Sequence, residues 1–162
     1  MSFSSISIYS SVNGNIYSGD IARTINGALE PITTINTSGV PYELARLDMP
    51  PGIYNGSGTF TISNPGAGTS AADITDIRVF YVIYDPTTLA NLGVKIIFDE
   101  SGGSLINSGD NIQETFTISI PPNYTNLSYV IQLQTLISFT PGTVNPVSPT
   151  AIANNFYCIK LA

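Results

Sequence analysis

Acidic side chains are the residues of this sequence whose spacing comes nearest to bond-breaking chemistry. Asp73 with Asp76, and Asp99 with Glu100, are pairs of the kind that glycoside hydrolysis requires, where two carboxyl groups flank one sugar bond. Both pairs fall at strand ends or in loops, where acids are ordinarily solvated turn residues. Asp99, Glu100 and Asp110 also bracket a glycine-rich stretch with oxygen ligands for calcium, although their spacing matches no known calcium loop. The chain has no histidine and one cysteine, so the usual zinc sites and Ser-His or Cys-His nucleophiles cannot be assembled from it. Cys158, inside the apolar stretch FYCIKL, reads as a small buried hydrophobe. Nine tyrosines and no tryptophan leave Tyr42, Tyr54 and Tyr124, near turns, as platforms on which a sugar could stack. The stronger reading of a tyrosine at a strand end is a buried ring with a wet hydroxyl. Gly56-Ser57-Gly58 and Gly66-Ala67-Gly68 lack the spacing and the following helix of a phosphate loop and read as turn glycines. The expectation is therefore no catalytic residue, no cofactor and no metal.

If surfaces carry the function, composition shows what kind. Charged residues make up 10% of the 162 residues, against about 25% in ordinary soluble domains. Ser, Thr, Asn and Gly fill the polar positions, which suits a protein packed against copies or partners, or an extracellular or virion module. The net charge is -6, and Arg23, Arg46, Arg78, Lys95 and Lys160 are scattered. Nucleic acid is excluded as a partner, because tracking phosphates requires clustered Lys and Arg. The N-terminus has no basic segment leading into an apolar one, so no secretory signal is recognised and synthesis in the cytosol is expected. No apolar run approaches the ~20 residues of a membrane-spanning helix. The sequons at Asn36, Asn55, Asn123 and Asn126 then read as unglycosylated turn residues.

The elements that must position these residues are strands. Ser128 to Phe139 alternates Tyr129, Ile131, Leu133, Thr135, Ile137 and Phe139 against Gln132, Gln134 and Ser138, the period of two that sends successive side chains to opposite faces. Its length predicts a strand spanning a whole sheet, with a bend near Thr135 or Leu136. Further strands are predicted at Phe3 to Tyr9, Tyr42 to Met49, Ile53 to Ile62, Asp76 to Tyr84, Val94 to Phe98, Gln113 to Ile120 and Asn155 to Leu161, with Ile16 and Tyr17 starting another. In the second of these Leu44 is expected on one face, with Ala45 and Leu47 on the other. Asp76 to Tyr84 is apolar on both faces, which places it inside the domain or in a subunit interface. Gly56 and Gly58 mark a bulge or the close approach of another backbone. Asp20 to Ile35 favours strand or loop over one helical turn capped by Asp20. Asn64 to Asp73 reads as an exposed tip or contact loop, and the three prolines of Thr140 to Thr150 make that segment an irregular loop. Eight to ten short strands without a helix predict an all-β sandwich of two antiparallel sheets, a single jelly roll over residues 1-162.

Four stretches carry a resemblance. LARLDMPPGIYNGSGTFTI (Leu44 to Ile62), DIRVFYVIY (Asp76 to Tyr84), TFTISIPP (Thr115 to Pro122) and NNFYCIKLA (Asn154 to Ala162) resemble single jelly-roll penton and minor capsid proteins of large double-stranded DNA viruses. More distantly they are similar to the trimeric heads of the tumour-necrosis-factor and complement-C1q type. The resemblance implies two four-stranded sheets, a homo-oligomer (pentamer or trimer), other capsid proteins as partners, a place in the virion, and no enzymatic activity. It supplies no site residue. The alternative is a receptor- or carbohydrate-binding head of a trimeric fibre or adhesin, with a host receptor or glycan as partner.

Overall fold

The computed structural model describes residues 24-120 and 127-161. The predicted strands at Phe3 to Tyr9 and from Ile16, together with Asp20, Arg23 and the Pro121-Pro122-Asn123 break, lie outside these residues. Ten strands follow in order: β1 (Thr24–Asn26), β2 (Ala28–Leu29), β3 (Thr33–Thr34), β4 (Pro41–Met49), β5 (Tyr54–Ser63), β6 (Asp73–Tyr84), β7 (Asn91–Ser101), β8 (Asn111–Ser119), β9 (Tyr129–Thr140) and β10 (Thr150–Lys160). The all-β sandwich expected from the alternation is present.

The antiparallel pairs are nested. β6 pairs with β7, β5 with β8, β4 with β9 and β1 with β10, as in one long two-stranded ribbon with its tip between β6 and β7. Rolling that ribbon brings β9 against β6 and β10 against β5, which gives sheets ordered β1-β10-β5-β8 and β2-β4-β9-β6-β7. This is the jelly-roll arrangement. Each sheet has five strands rather than the four implied by resemblance, because β3 joins β10 in one and β2 joins β4 in the other.

The core lies between the sheets. Tyr129, Ile131, Leu133, Thr135 and Ile137 of β9 face inward and are buried, opposite Phe60, Ile62, Phe156 and Cys158 from the other sheet. Phe60 ties the layers together: its ring meets Phe98 edge-on at 5.7 Å and Phe116 at 6.3 Å. Gly56 and Gly58 mark close approach rather than a bulge. A Cβ at Gly56 would lie 2.6 Å from Cys158 Sγ, and one at Gly58 would strike the Phe116 ring. Leaving those positions bare lets Phe116 and Phe156 meet at 6.1 Å.

Bulges account for most departures from the predicted pattern. Register shifts occur at Leu44 in β4, Thr75 in β6, Leu92 and Ile97 in β7 and Asn154 in β10, and β9 itself carries none of these extra residues. At each, the alternation changes phase. Leu44 and Ala45 are consequently both buried, not on opposite faces as simple alternation requires. In β10 the inward set passes from Ala151 and Ala153 to Phe156 and Cys158, while Asn154 and Asn155 are both exposed.

The two sides of the sandwich differ. On one, the chain runs from β1 in the first sheet to β2 in the second and back to β3, with the Gly27 amide donating to Phe156 O at 2.7 Å and Glu30 N to Leu44 O at 2.9 Å. That side is laced shut. On the other, β7 and β8 end their sheets and border an open cleft of about 410 Å³ lined by Lys95, Ile97 and Phe116.

The segment Asn64 to Asp73 is not a free tip. Asn64, 1% exposed, donates to Ala72 O at 2.8 Å and Ile106 O at 3.0 Å and accepts from Ala72 N at 3.2 Å. Thr69 O and Ser70 O accept the amides of Thr143 and Val147. The Asn64 side chain is a buried joint between two loops, and the backbone oxygens of Thr69 and Ser70 tie in a third.

Candidate assembly surface

Strand register places the outward residues across the middle of the second sheet. Directly paired residues lie on one face, so four rows cross β7, β6, β9 and β4 in turn. They are Asp99, Arg78, Leu136, Pro41; then Ile96, Phe80, Gln134, Glu43; then Val94, Val82, Gln132, Arg46; and then Asn91, Tyr84, Val130, Asp48. The β7 and β6 columns hold an apolar block of Phe80, Val82, Val94 and Ile96. Val94 is 54% and Ile96 50% exposed, whereas Phe80 and Val82 are half-buried.

The polar members of this face are already engaged within the chain. Arg46 Nε donates to Asp48 Oδ1 at 3.1 Å, which raises the Arg46 pKa, and its guanidinium stands 5.8 Å over the Tyr84 ring. Arg78 Nε lies 3.6 Å from Asp99 Oδ1, an ion pair in which that nitrogen makes no hydrogen bond. Gln134 donates to Gln132, which donates to Glu43. Covering such groups costs less than covering solvated ones, because burying an unpaired polar or charged group is what is expensive.

The first sheet presents a different exterior. Its β5 and β8 residues pair as Asn55 with Ser119, Ser57 with Thr117, Thr59 with Thr115, Thr61 with Gln113 and Ser63 with Asn111. None is charged. Several bond locally: Ser57 Oγ donates to Phe116 O at 3.0 Å, Thr59 and Thr115 hydroxyls meet at 3.1 Å, and Asn154 Nδ2 donates to Thr61 Oγ1 at 2.7 Å. Asn55 lies here in a strand rather than in a turn, correcting the reading of its sequon.

The acids singled out in the sequence do not all come together. Asp99 pairs across to Arg78 and Glu100 to Ile77, so these neighbours point to opposite faces and cannot flank one bond. Asp73 accepts Ser104 Oγ at 2.9 Å, and the Thr75 bulge places it on the same sheet face as Asp76, opposite Thr140 and Ser138 of β9. Among the described residues no three acids or cysteines gather as metal ligands, and Asp110 joins neither Asp99 nor Glu100 in such a group. Cys158 is fully buried, and burial pushes its thiol up to about 12. Tyr54 is 2% exposed and donates its hydroxyl to Pro50 O at 3.0 Å, so it offers no platform for a sugar. Tyr42 is half-buried and its hydroxyl accepts from Thr37 N at 3.0 Å; Tyr124 lies outside the described residues. No helix among the described residues is long and apolar enough to cross a membrane.

Sequence reasoning located the outward apolar side of β6 but missed its continuation on β7. The bulges at Leu92 and Ile97 shift the phase of β7 twice, so Val94 and Ile96 do not stand out as one outward pair until the register is known.

No protein-family model and no curated protein matches the sequence. Solved structures match in fold. A chain of the T13 particle of infectious bursal disease virus superposes with a TM-score of 0.57 at 14% identity, over 86% of this chain and 30% of that one. A mutant VP2 protein of the same virus, from T=1 particles, gives 0.56 at 15% identity over 91% and 33%. VP2 in a subviral particle gives 0.55 at 14% over 91% and 34%. This chain thus spans about a third of the length of those it matches.

Proposed function

We propose that this chain is a non-enzymatic virion structural protein: a jelly-roll capsid subunit that assembles through its sheet surfaces and loops. The observation that carries the reading is the superposition of 86% to 91% of the chain on chains from infectious bursal disease virus particles. The self-engaged polar groups of both outer faces support it. In this reading residues 1-162 form one jelly-roll unit, placed in the virion as a penton or minor capsid protein, in a pentamer or trimer that meets other capsid proteins. Asp99 and Glu100 point to opposite faces, and the one thiol is sealed in the core, so neither supports a catalytic role.

The test is assembly. Purified protein is examined by light scattering and negative-stain microscopy, alone and with the other structural proteins of its virion. Closed shells or incorporation at vertices is the expected result, and a protein that joins no larger assembly under any of these conditions overturns the reading.

A further inference from the structure

The geometry points to a second copy of this chain as the occupant of the outer face of the β4-β9-β6-β7 layer, bound through a two-fold axis lying between the faces and perpendicular to the strands. This rests on the assembly reading above and names the partner for one of its surfaces. Rotation about such an axis keeps each strand over its own copy and reverses the order of the rows. Ile96 then faces Val94 of the other copy, Phe80 faces Val82 and Gln134 faces Gln132, all following from the registers. Glu43 faces Arg46, and by symmetry Arg46 faces Glu43. Over the two central rows apolar residues meet apolar ones and Glu43 meets Arg46, the self-complementarity that a two-fold contact demands, while at the rim Arg78 faces Tyr84, Asp99 faces Asn91 and Asp48 faces Pro41.

The other in-plane two-fold, parallel to the strands, lacks this match. It lays β4 over β7 and β9 over β6, so that Glu43 covers Ile96, Arg46 covers Val94 and Gln134 covers Phe80. Charges would be buried on apolar surface, at several kcal/mol per ion. The two central rows therefore select one of the two arrangements.

Size and edge chemistry agree. Four strands about 4.8 Å apart, with ten residues rising about 3.3 Å each, outline on the order of 600 Å² in plan. Side-chain relief adds accessible surface, which brings the face to the roughly 800 Å² per partner of a standard interface. Pairing through the β7 edge instead is blunted by the two bulges of that strand and by Lys95 within it, devices that keep edges from accepting another strand. The copy consequently covers the face and does not extend the sheet. Aligned sheets stack about 10 Å apart at about 30°, within reach of every facing pair named.

Sedimentation of the full chain over a hundredfold concentration range tests the pairing, whatever ring the subunit forms. Ile96→Lys is expected to halve the limiting mass while circular dichroism and thermal stability stay near wild type. Glu43→Arg and Arg46→Glu should each weaken pairing tenfold or more, and the double exchange should restore it, an outcome that a merely structural role for either residue does not produce. Wild-type protein that never doubles, a limiting mass unchanged by Ile96→Lys, or a double exchange no better than the single ones overturns the inference. Shells formed normally by Ile96→Lys would remove the two-fold and leave the capsid reading standing. A restored double exchange in protein that joins no larger assembly would do the reverse.

Discussion

The two outer faces of this sandwich solve one problem by opposite means. A sheet face meant for close contact must not strip water from unpaired charges. The β1-β10-β5-β8 face meets the condition by pairing Asn, Ser, Thr and Gln across β5 and β8 without a charge between them. The β4-β9-β6-β7 face keeps Glu43, Arg46, Asp48, Arg78 and Asp99 but engages each within the chain, and sets them beside an apolar block. The contrast teaches that low charge and pre-paired charge are different surfaces: the first offers nothing to discriminate one partner from another, whereas the second specifies register and orientation.

The most disruptive test removes the layer contact on which both faces depend. Phe60→Ala should cost about 3-5 kcal/mol, the range for large aromatic truncations in cores, read as a fall in the urea midpoint at unchanged slope. Next comes the loop joint, which holds the strand ends of both faces. Asn64→Ala leaves buried backbone groups at Ala72 and Ile106 without their partner and should cost about 2-3 kcal/mol. A matched pair of surface changes then sharpens the comparison directly. Thr117→Lys on the uncharged face should change stability by less than about 0.5 kcal/mol and leave the sedimentation mass unaltered, whereas Ile96→Lys on the other face should halve it. Equal effects from the two would erase the distinction drawn here.

Two smaller effects concern pH. The Cys158 thiol is held above its unfolded value by burial, so its stabilisation is complete below about pH 8.5 and is lost as pH rises toward the folded value of about 12. Thermal melts from pH 8 to 11 should fall, with a later onset in Cys158→Ala. At the acid end, Asp85 accepts the amides of Thr87 at 2.7 Å and Thr88 at 3.1 Å, bonds that lower its pKa. That contribution is present above about pH 4 and is lost as pH falls through the folded pKa. Amide exchange at Thr87 and Thr88 should quicken there before the rest of β6 and β7 responds.

Alternation alone made β9, β6 and β5 legible, because each carries branched or aromatic residues at every second position and a turn at its end. It failed where neighbours decided the outcome. β10 begins at Thr150, ahead of the predicted Asn155, because Ala151 and Ala153 are weak strand formers that pairing with β5 holds extended. β7 runs from Asn91 to Ser101, beyond the predicted Val94 to Phe98, for the same reason. The proposed assembly surface was half legible: Phe80, Val82 and Tyr84 announced an outward apolar strand, but Val94 and Ile96 depend on two bulges that no local pattern fixes. Asn64, read as part of an exposed loop, is buried because its three bonds reach Ala72 nearby and Ile106 far along the sequence.

The nested ribbon also sets a timetable. β6 and β7 are neighbours in sequence and can pair as soon as both exist, whereas β1 must wait for β10, which follows every other described strand and yet occupies the middle of its sheet. All strands of the β2-β4-β9-β6-β7 layer precede Thr150, so during synthesis that layer can be complete while its inner side still lacks Phe156 and Cys158. The nascent chain thus passes through an interval with one finished sheet and an uncovered core. Sealing it is the work of the strand that leaves the ribosome after all the other described ones.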